Sequence, residues 1–325
     1  MKPQHIPNNI VTKLISLYVR LRFGKLHWSI RYYYRDTYYC QFIQLKYLFK
    51  DYFFKPKYKV ISFDGEFAPE LEFVIPFAYW HYKNDTLLRT EGAKFTKEMY
   101  FFSPDHQEVY DVRTNEGNYN YETPRILYSH NYDMKKWEQV PFKTHFKNDI
   151  YVYDKPVLIV ANRYNTEWEG PPISFFSIEM LRFIFDELGA YYQVIYNRPR
   201  PHQITSDTSE VNDLNEYDFI KQHYPQVILM EDLYRENQIK ANNFNHFQLC
   251  VYANADKFLS IHGGTAALAS CFEGENIILS KQGPEHHFGC FQKLFPKLSG
   301  AKIHHAKNDE EVKDYINKFY IPTGV

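Results

Sequence analysis

The second half of the chain predicts a doubly wound, parallel α/β sheet, on three observations. Residues 156–161 are a short continuous apolar run bounded by polar residues, as in a strand buried on both faces. Residues 174–188 follow, with Ile178, Leu181, Ile184, Phe185 and Leu188 at helical spacing. The alternation then repeats. Strands are predicted at 192–196, 226–230, 257–261, 276–279 and 302–305, and helices at 216–223 (ended before Pro225), 245–254, 265–272 and 309–319. The last helix has Asn308 as its expected N-cap, with Glu311 three residues on. Six strands separated by crossovers or loops make the sheet parallel.

The first half reads less regularly. A strand is expected at 59–63. A helix at 69–82 follows, carrying Leu71, Val74, Ile75, Ala78 and Tyr79, with Pro76 predicting a kink or an early end. Residues 98–102 suggest another strand, and 111–150 is polar, aromatic and irregular. The chain of 325 residues suits two domains. The expectation is a smaller α/β domain over 60–150, joined near 148–155 to the sheet domain of 151–325, with residues 1–59 as a separate basic segment.

Composition is that of a globular protein, 44% hydrophobic and 24% charged, but 29 Tyr and 27 Phe are many. Compositional drift explains them more simply than carbohydrate stacking. Cys40, Cys250, Cys271 and Cys290 are widely spaced with no ligand pattern, so neither a disulfide framework nor a zinc site is expected, and Cys250 and Cys271 read as buried thiols. The N-terminus lacks a secretory pattern, and no segment is long and apolar enough for a membrane span, so a reducing, cytoplasmic setting is the expectation.

A net charge of −1 conceals an asymmetry. Residues 1–59 hold twelve Lys and Arg but only two acids, Asp36 and Asp51, interleaved with aromatics such as Trp28, Tyr32, Phe49 and Phe53. Such a segment suits an anionic membrane surface at the inner face, or is a solvated basic arm without a partner. No nucleic-acid motif accompanies it.

In an open parallel sheet, ligands bind beyond the carboxyl ends of the strands. There the sequence places Asn162, Arg163, Tyr164, Asn165, Thr166, Glu167 and Trp168 after the first strand, and Asn197, Arg198, Pro199 and Arg200 after the second. Glu231 and Asp232 follow the third, and His262, Gly263, Gly264 and Thr265 the fourth. In the last set a strand passes through two glycines into a helix of small residues. That geometry lets a phosphate approach backbone N–H groups, although a tight turn alone would also need glycine. Neither a dinucleotide fingerprint nor a phosphate-binding lysine loop is present, which disfavours hydride transfer and ATP hydrolysis. In the first half, Asp64 or Glu66 could serve as a base for an acceptor hydroxyl, or could simply complement a helix N-terminus. The pairs His286, His287 and His304, His305 would point to opposite faces of strands and chelate poorly, and no acidic Asp-x-Asp motif occurs, so no metal is expected.

Taken together, the run from Asn162 to Trp168, the Tyr196, Asn197, Arg198, Pro199 segment, Glu231, Asp232 and Leu233, and Ser260, Ile261, His262, Gly263 and Gly264 resemble bacterial polysaccharide-type glycosyltransferases of the GT-B kind. Upstream, 65–71 and 76–80 look like the front half of the same group, so the resemblance covers roughly 60–320. It implies two Rossmann-like domains about a cleft, with a nucleotide-sugar as substrate, no further cofactor, metal-independent transfer and a glycan or lipid-linked acceptor. It also implies roles. His262, Gly263, Gly264 and Thr265 would meet the donor diphosphate, Arg163 and Arg198 would neutralise the leaving group, and Glu66 would be the base. Asn162, Asn165, Asn197, Glu231 and Asp232 complete the expected donor surface. About 90 residues are few for a full first domain, which leaves the acceptor side reduced. The competing expectation is a non-catalytic nucleotide- or carbohydrate-binding protein of the same fold, followed by an epimerase or a hydrolase. The absence of a nucleophile elbow argues against the hydrolase.

Overall fold

A computed structural model describes residues 10–123, 136–166, 170–200, 203, 205, 210–237 and 240–322. Glu167 and Trp168 lie outside the described residues, as does part of the irregular 111–150 stretch. In chain order the strands are β1 (Lys59–Ser62), β2 (Leu87–Ala93), β3 (His106–Tyr110), β4 (Val157–Ala161), β5 (Asn165–Thr166), β6 (Gln193–Asn197), β7 (Glu210–Val211), β8 (Ile228–Leu229), β9 (Ala255–Ile261), β10 (Glu275–Leu279) and β11 (Lys302–Ala306).

The large sheet has six parallel strands in the order β11-β10-β9-β4-β6-β8. The chain starts in the middle at β4, winds outward through β6 and β8, returns to β9 on the other side of β4, and winds outward again. This is the doubly wound order expected from the sequence, and its direction of winding reverses between β4 and β9. Both faces of the sheet are covered, which is why β4 is apolar at every position. Leu158 and Val160 face a layer containing the helices Ile178–Leu188 and Asp309–Phe319. Val157, Ile159 and Ala161 face a layer with Phe244–Tyr252 and Gly264–Ser270. Truncating a side chain such as Ile159, which is fully buried, would cost about 2–5 kcal/mol.

The helices begin where capping residues stand. Ser177 accepts from the Met180 N–H, Asn243 from His246 and Asn308 from Glu311. Each such cap is worth about 1 kcal/mol. The third predicted strand is cut to β8 because Met230 already opens the helix Met230–Asn237, with Glu231 and Asp232 in its first turn.

The first half holds a smaller parallel sheet, β1-β2-β3. The expected helix begins earlier, at Phe67, and Pro76 does not stop it. A π turn over Glu70–Val74 widens the winding just before Ile75–Lys83, and this accommodates the ring and missing N–H of Pro76. The strand expected at 98–102 is instead a short 3-10 helix, Lys97–Tyr100. A strand would send Met99 and Tyr100 to opposite faces, whereas the tight turn buries both. Tyr100 stacks on His106 at 4.6 Å and donates its hydroxyl hydrogen to Glu70 at 2.8 Å.

The basic segment is not a free arm. Helices α1 (Ile10–Arg22) and α2 (Trp28–Leu45) form an antiparallel hairpin, with Tyr18 edge-on to Tyr38 and Phe23 stacked on Tyr34. Tyr33 and Tyr34 then pack on Phe288 from the second half. The abundant aromatics are largely core material: the largest fully buried side chains are all Tyr or Phe. Cys40, Cys271 and Cys290 are buried and Cys250 is partly so; none of the four is in a disulfide. No helix among the described residues is long and apolar enough to cross a membrane.

Candidate functional site

The carboxyl ends of β4 and β9 flank the point where the sheet reverses its winding, and the residues that follow them meet there. Arg163 Nη1 donates to the carbonyl of His262 at 3.2 Å, tying the two strand ends together. Gly263 sits at φ +89°, ψ −147°, a conformation open to glycine, and a Cβ there would lie 2.5 Å from Arg163 Nη1. A Cβ on Gly264 would lie 2.8 Å from the ring of Phe67, which follows Glu66 in the first half. Residues some 200 positions apart, one from each half, are therefore in van der Waals contact across this turn. Thr265 turns its hydroxyl back onto the carbonyl of Ile261.

The helix that starts here has seven residues, so side-chain charge rather than a helix dipole dominates the electrostatics. Burial and the neighbouring Arg163, His286 and His305 push the His262 imidazole down to about 3. Its Nδ1 is shielded and has no hydrogen-bond partner among the described residues. His286 and His305 are lowered too, both chiefly by burial, with Lys307 adding to each. They stand edge to face at 4.5 Å beside Ser280, whose hydroxyl is 2.9 Å from His286 Nε2 and whose carbonyl accepts from His305 Nε2 at 3.2 Å. The ends of β4, β9, β10 and β11 thus assemble Arg163 and Lys307 with three imidazoles that burial, and then the positive field of their neighbours, makes harder to protonate. An anion entering this basin relieves that field.

On the first-half side, the turn 64–70 is held rigidly. Glu70 is buried and accepts from Arg113 Nη2 at 2.6 Å, while Arg113 Nη1 donates to the Gly65 carbonyl at 2.9 Å. The Glu66 N–H donates to Asn118 at 2.9 Å, and Asp64 accepts weakly from Thr114 at 3.4 Å. Glu72 lies behind, only 3% exposed. Burial, then Glu285 and Glu66, raise its carboxyl well above the usual range.

Several sequence candidates are built into the scaffold. Asn162 is fully buried, bonding Phe176 through both its amide and carbonyl groups and the Tyr196 hydroxyl at 3.1 Å. Asn197 bonds Gln248 and Tyr252. Arg198 is buried against Glu216 as a two-pronged ion pair and also donates to the Asn212 carbonyl, so its charge is already balanced. Asn165 lies in the two-residue pairing of β5 with β7. Glu231 faces Arg200 at 3.7 Å, and Asp232 pairs with Arg235 and Lys221 on the surface. Of the candidates, Arg163, His262, Gly263, Gly264 and Thr265 form one group, with Glu66 adjoining through Phe67. His286, His305 and Lys307 were missed as anion-site candidates. The sequence signal for His305 and Lys307 is their place at the carboxyl end of the sixth strand, β11. His286 lies on the short helix Pro284–Phe288 rather than on a strand.

No protein-family model matches the chain, and no curated protein matches it. A search of solved structures finds E. coli ADP-heptose LPS heptosyltransferase II at 10% identity and a TM-score of 0.46, covering 80% of this chain and 98% of that one. A likeness at that level carries nothing over to this chain. What its own structure defines is a doubly wound α/β protein with a cationic basin at the switch point of its sheet.

Proposed function

We propose that this protein is a glycosyltransferase that takes a sugar from a nucleotide-sugar and passes it to the hydroxyl of a glycan or lipid-linked acceptor. The observation that carries the reading is the bond from Arg163 to His262 across the switch point, with a first-half carboxylate, Glu66, one residue from the Phe67 ring that closes the same turn. A donor diphosphate lies in the basin of Arg163, Lys307 and the imidazoles. As the bond from the sugar carbon to the phosphate oxygen breaks, the charge left on the diphosphate is met by the Arg163 and Lys307 cations, in place from the start, with the neutral imidazoles as hydrogen-bond partners. Glu66 takes the proton of the acceptor hydroxyl as the new glycosidic bond forms. Asn162 and Arg198 shape the surface from behind. Leaving-group neutralisation is assigned to side chains rather than to a metal.

The non-catalytic reading shares the basin and lacks the proton transfer. The test is transfer or slow donor hydrolysis by the wild type and by Glu66→Gln. The proposal expects Glu66→Gln to lose turnover by about 10²–10⁴-fold, as for a general base, while nucleotide binding stays. Equal turnover in the two proteins would remove Glu66 from the chemistry. No turnover in either across all donors would favour a binding protein.

A further inference from the structure

We infer that the α1–α2 hairpin and the segment after it form a docking surface for an anionic lipid bilayer. The inference stands independently of the transferase reading, because it rests on a different part of the molecule. Among the described residues, thirteen of the twenty-one exposed large apolar side chains lie between residues 10 and 54. Eight of them fall in two groups. On α1, Ile10, Leu14, Leu17 and Leu21 share one helical stripe that faces solvent, Leu21 being 77% exposed, while Thr12 and Val19 face inward. After α2, Leu48, Phe49, Phe53 and Phe54 are also exposed, Phe54 at 76%.

The hairpin brings the groups together. Ile15 packs against the buried cluster of Tyr39, Cys40 and Ile43, Tyr18 meets Tyr38 and Phe23 stacks on Tyr34, so the start of α1 lies beside the end of α2. Ile10 and Leu14 are thereby carried to the end of the hairpin from which Leu48 and the phenylalanines emerge.

Charge decides the occupant. Lys13 and Arg20 flank the α1 stripe, and Lys46, Lys50, Lys55 and Lys57 surround the second group, all exposed. The only acids between residues 10 and 59 are withdrawn from this surface. Asp36 is buried against Arg35, and Asp51 is fully buried against Lys136 and Tyr58. A second copy of this face would set cations against cations, with only Glu122, already engaged by Lys46, Lys59 and Tyr47, beside them among the described residues. A nucleic acid would satisfy the lysines but leave the leucine stripe in water. An anionic bilayer satisfies both, with lysines at the headgroups and Leu and Phe in the acyl boundary.

The test is co-sedimentation of the full chain with phosphatidylcholine vesicles, with and without phosphatidylglycerol. Each cation brought to an anionic surface multiplies partitioning about fivefold, so the mixed vesicles should bind and the neutral ones bind at least about tenfold less. Leu14→Gln with Leu17→Gln, and separately Phe53→Ser with Phe54→Ser, should each reduce binding to mixed vesicles about tenfold or more with unchanged melting, because these side chains are exposed. Lys50→Glu with Lys55→Glu should reduce it too, and in a salt-dependent way. The inference is overturned if mixed vesicles do not bind at low salt, or if the apolar variants bind as well as wild type. It is also overturned if the wild type dimerises through this face and the apolar variants are monomeric.

Discussion

Arg163 Nη1 donates to the His262 carbonyl at 3.2 Å, bridging β4 and β9 where the winding of the sheet reverses. The bond fixes one edge of the guanidinium and places its charge at the site where a parallel α/β sheet binds ligands. Arg163→Ala should therefore weaken nucleotide binding by about 1.5–3 kcal/mol, the worth of a charged hydrogen bond. Arg163→Lys should recover only part of it, since an ammonium cannot hold the carbonyl and an anion in one plane. Titration calorimetry of the three proteins checks this.

Gly263 and Gly264 are distinguishable by a double substitution. Gly263→Ala meets both a glycine-only backbone angle and the Arg163 guanidinium, and should cost about 1–3 kcal/mol of stability. Gly264→Ala meets only the Phe67 ring, at 2.8 Å. Adding Phe67→Ala should rescue the Gly264 substitution and leave the Gly263 cost unchanged, as urea melts of the two double variants would show.

Much of this frame was legible in the sequence, and for a physical reason. A strand covered on both faces must be apolar throughout, so β4 announces itself, and the cap at Asn308 marks where the last helix begins. β2 escaped because Arg89, Thr90 and Glu91 interrupt its apolar run: Thr90 is satisfied by Ser103 and His106, further along the chain, and Glu91 pairs with Arg89. Met99 and Tyr100 looked like strand residues because burial alone does not distinguish a strand from a single 3-10 turn. Arg163 and Arg198 were indistinguishable for a similar reason. Both follow a strand, and only the fold shows that Glu216 neutralises Arg198.

The Glu70–Arg113 pair holds the turn that presents Glu66. Both side chains are buried, so Glu70→Gln strands the Arg113 charge and should cost about 3–5 kcal/mol. A thermal melt checks this. A drop below about 1 kcal/mol would mean that water reaches Arg113 in the native state.

Glu72 gives the protein a pH signature. Its carboxyl titrates higher folded than unfolded, so the folded state retains a proton that the unfolded chain releases. That stability is present below the ordinary glutamate range and is lost as pH rises through it toward the folded value. Glu72→Gln removes the loss, and its melting temperature should exceed that of the wild type at pH 8 while the gap narrows toward pH 4. A gap independent of pH would show that Glu72 is ionised in the folded protein.

The most direct test of the central claim is the melting temperature of wild type and Arg163→Ala against UDP, GDP, CMP, ADP, dTDP and their sugar conjugates. A ligand at a hundred times its dissociation constant adds about 2.7 kcal/mol of stability. The account predicts a clear rise for one nucleotide and its conjugate in the wild type, much reduced in the variant. No rise for any nucleotide in the wild type, or an undiminished rise in Arg163→Ala, would contradict it.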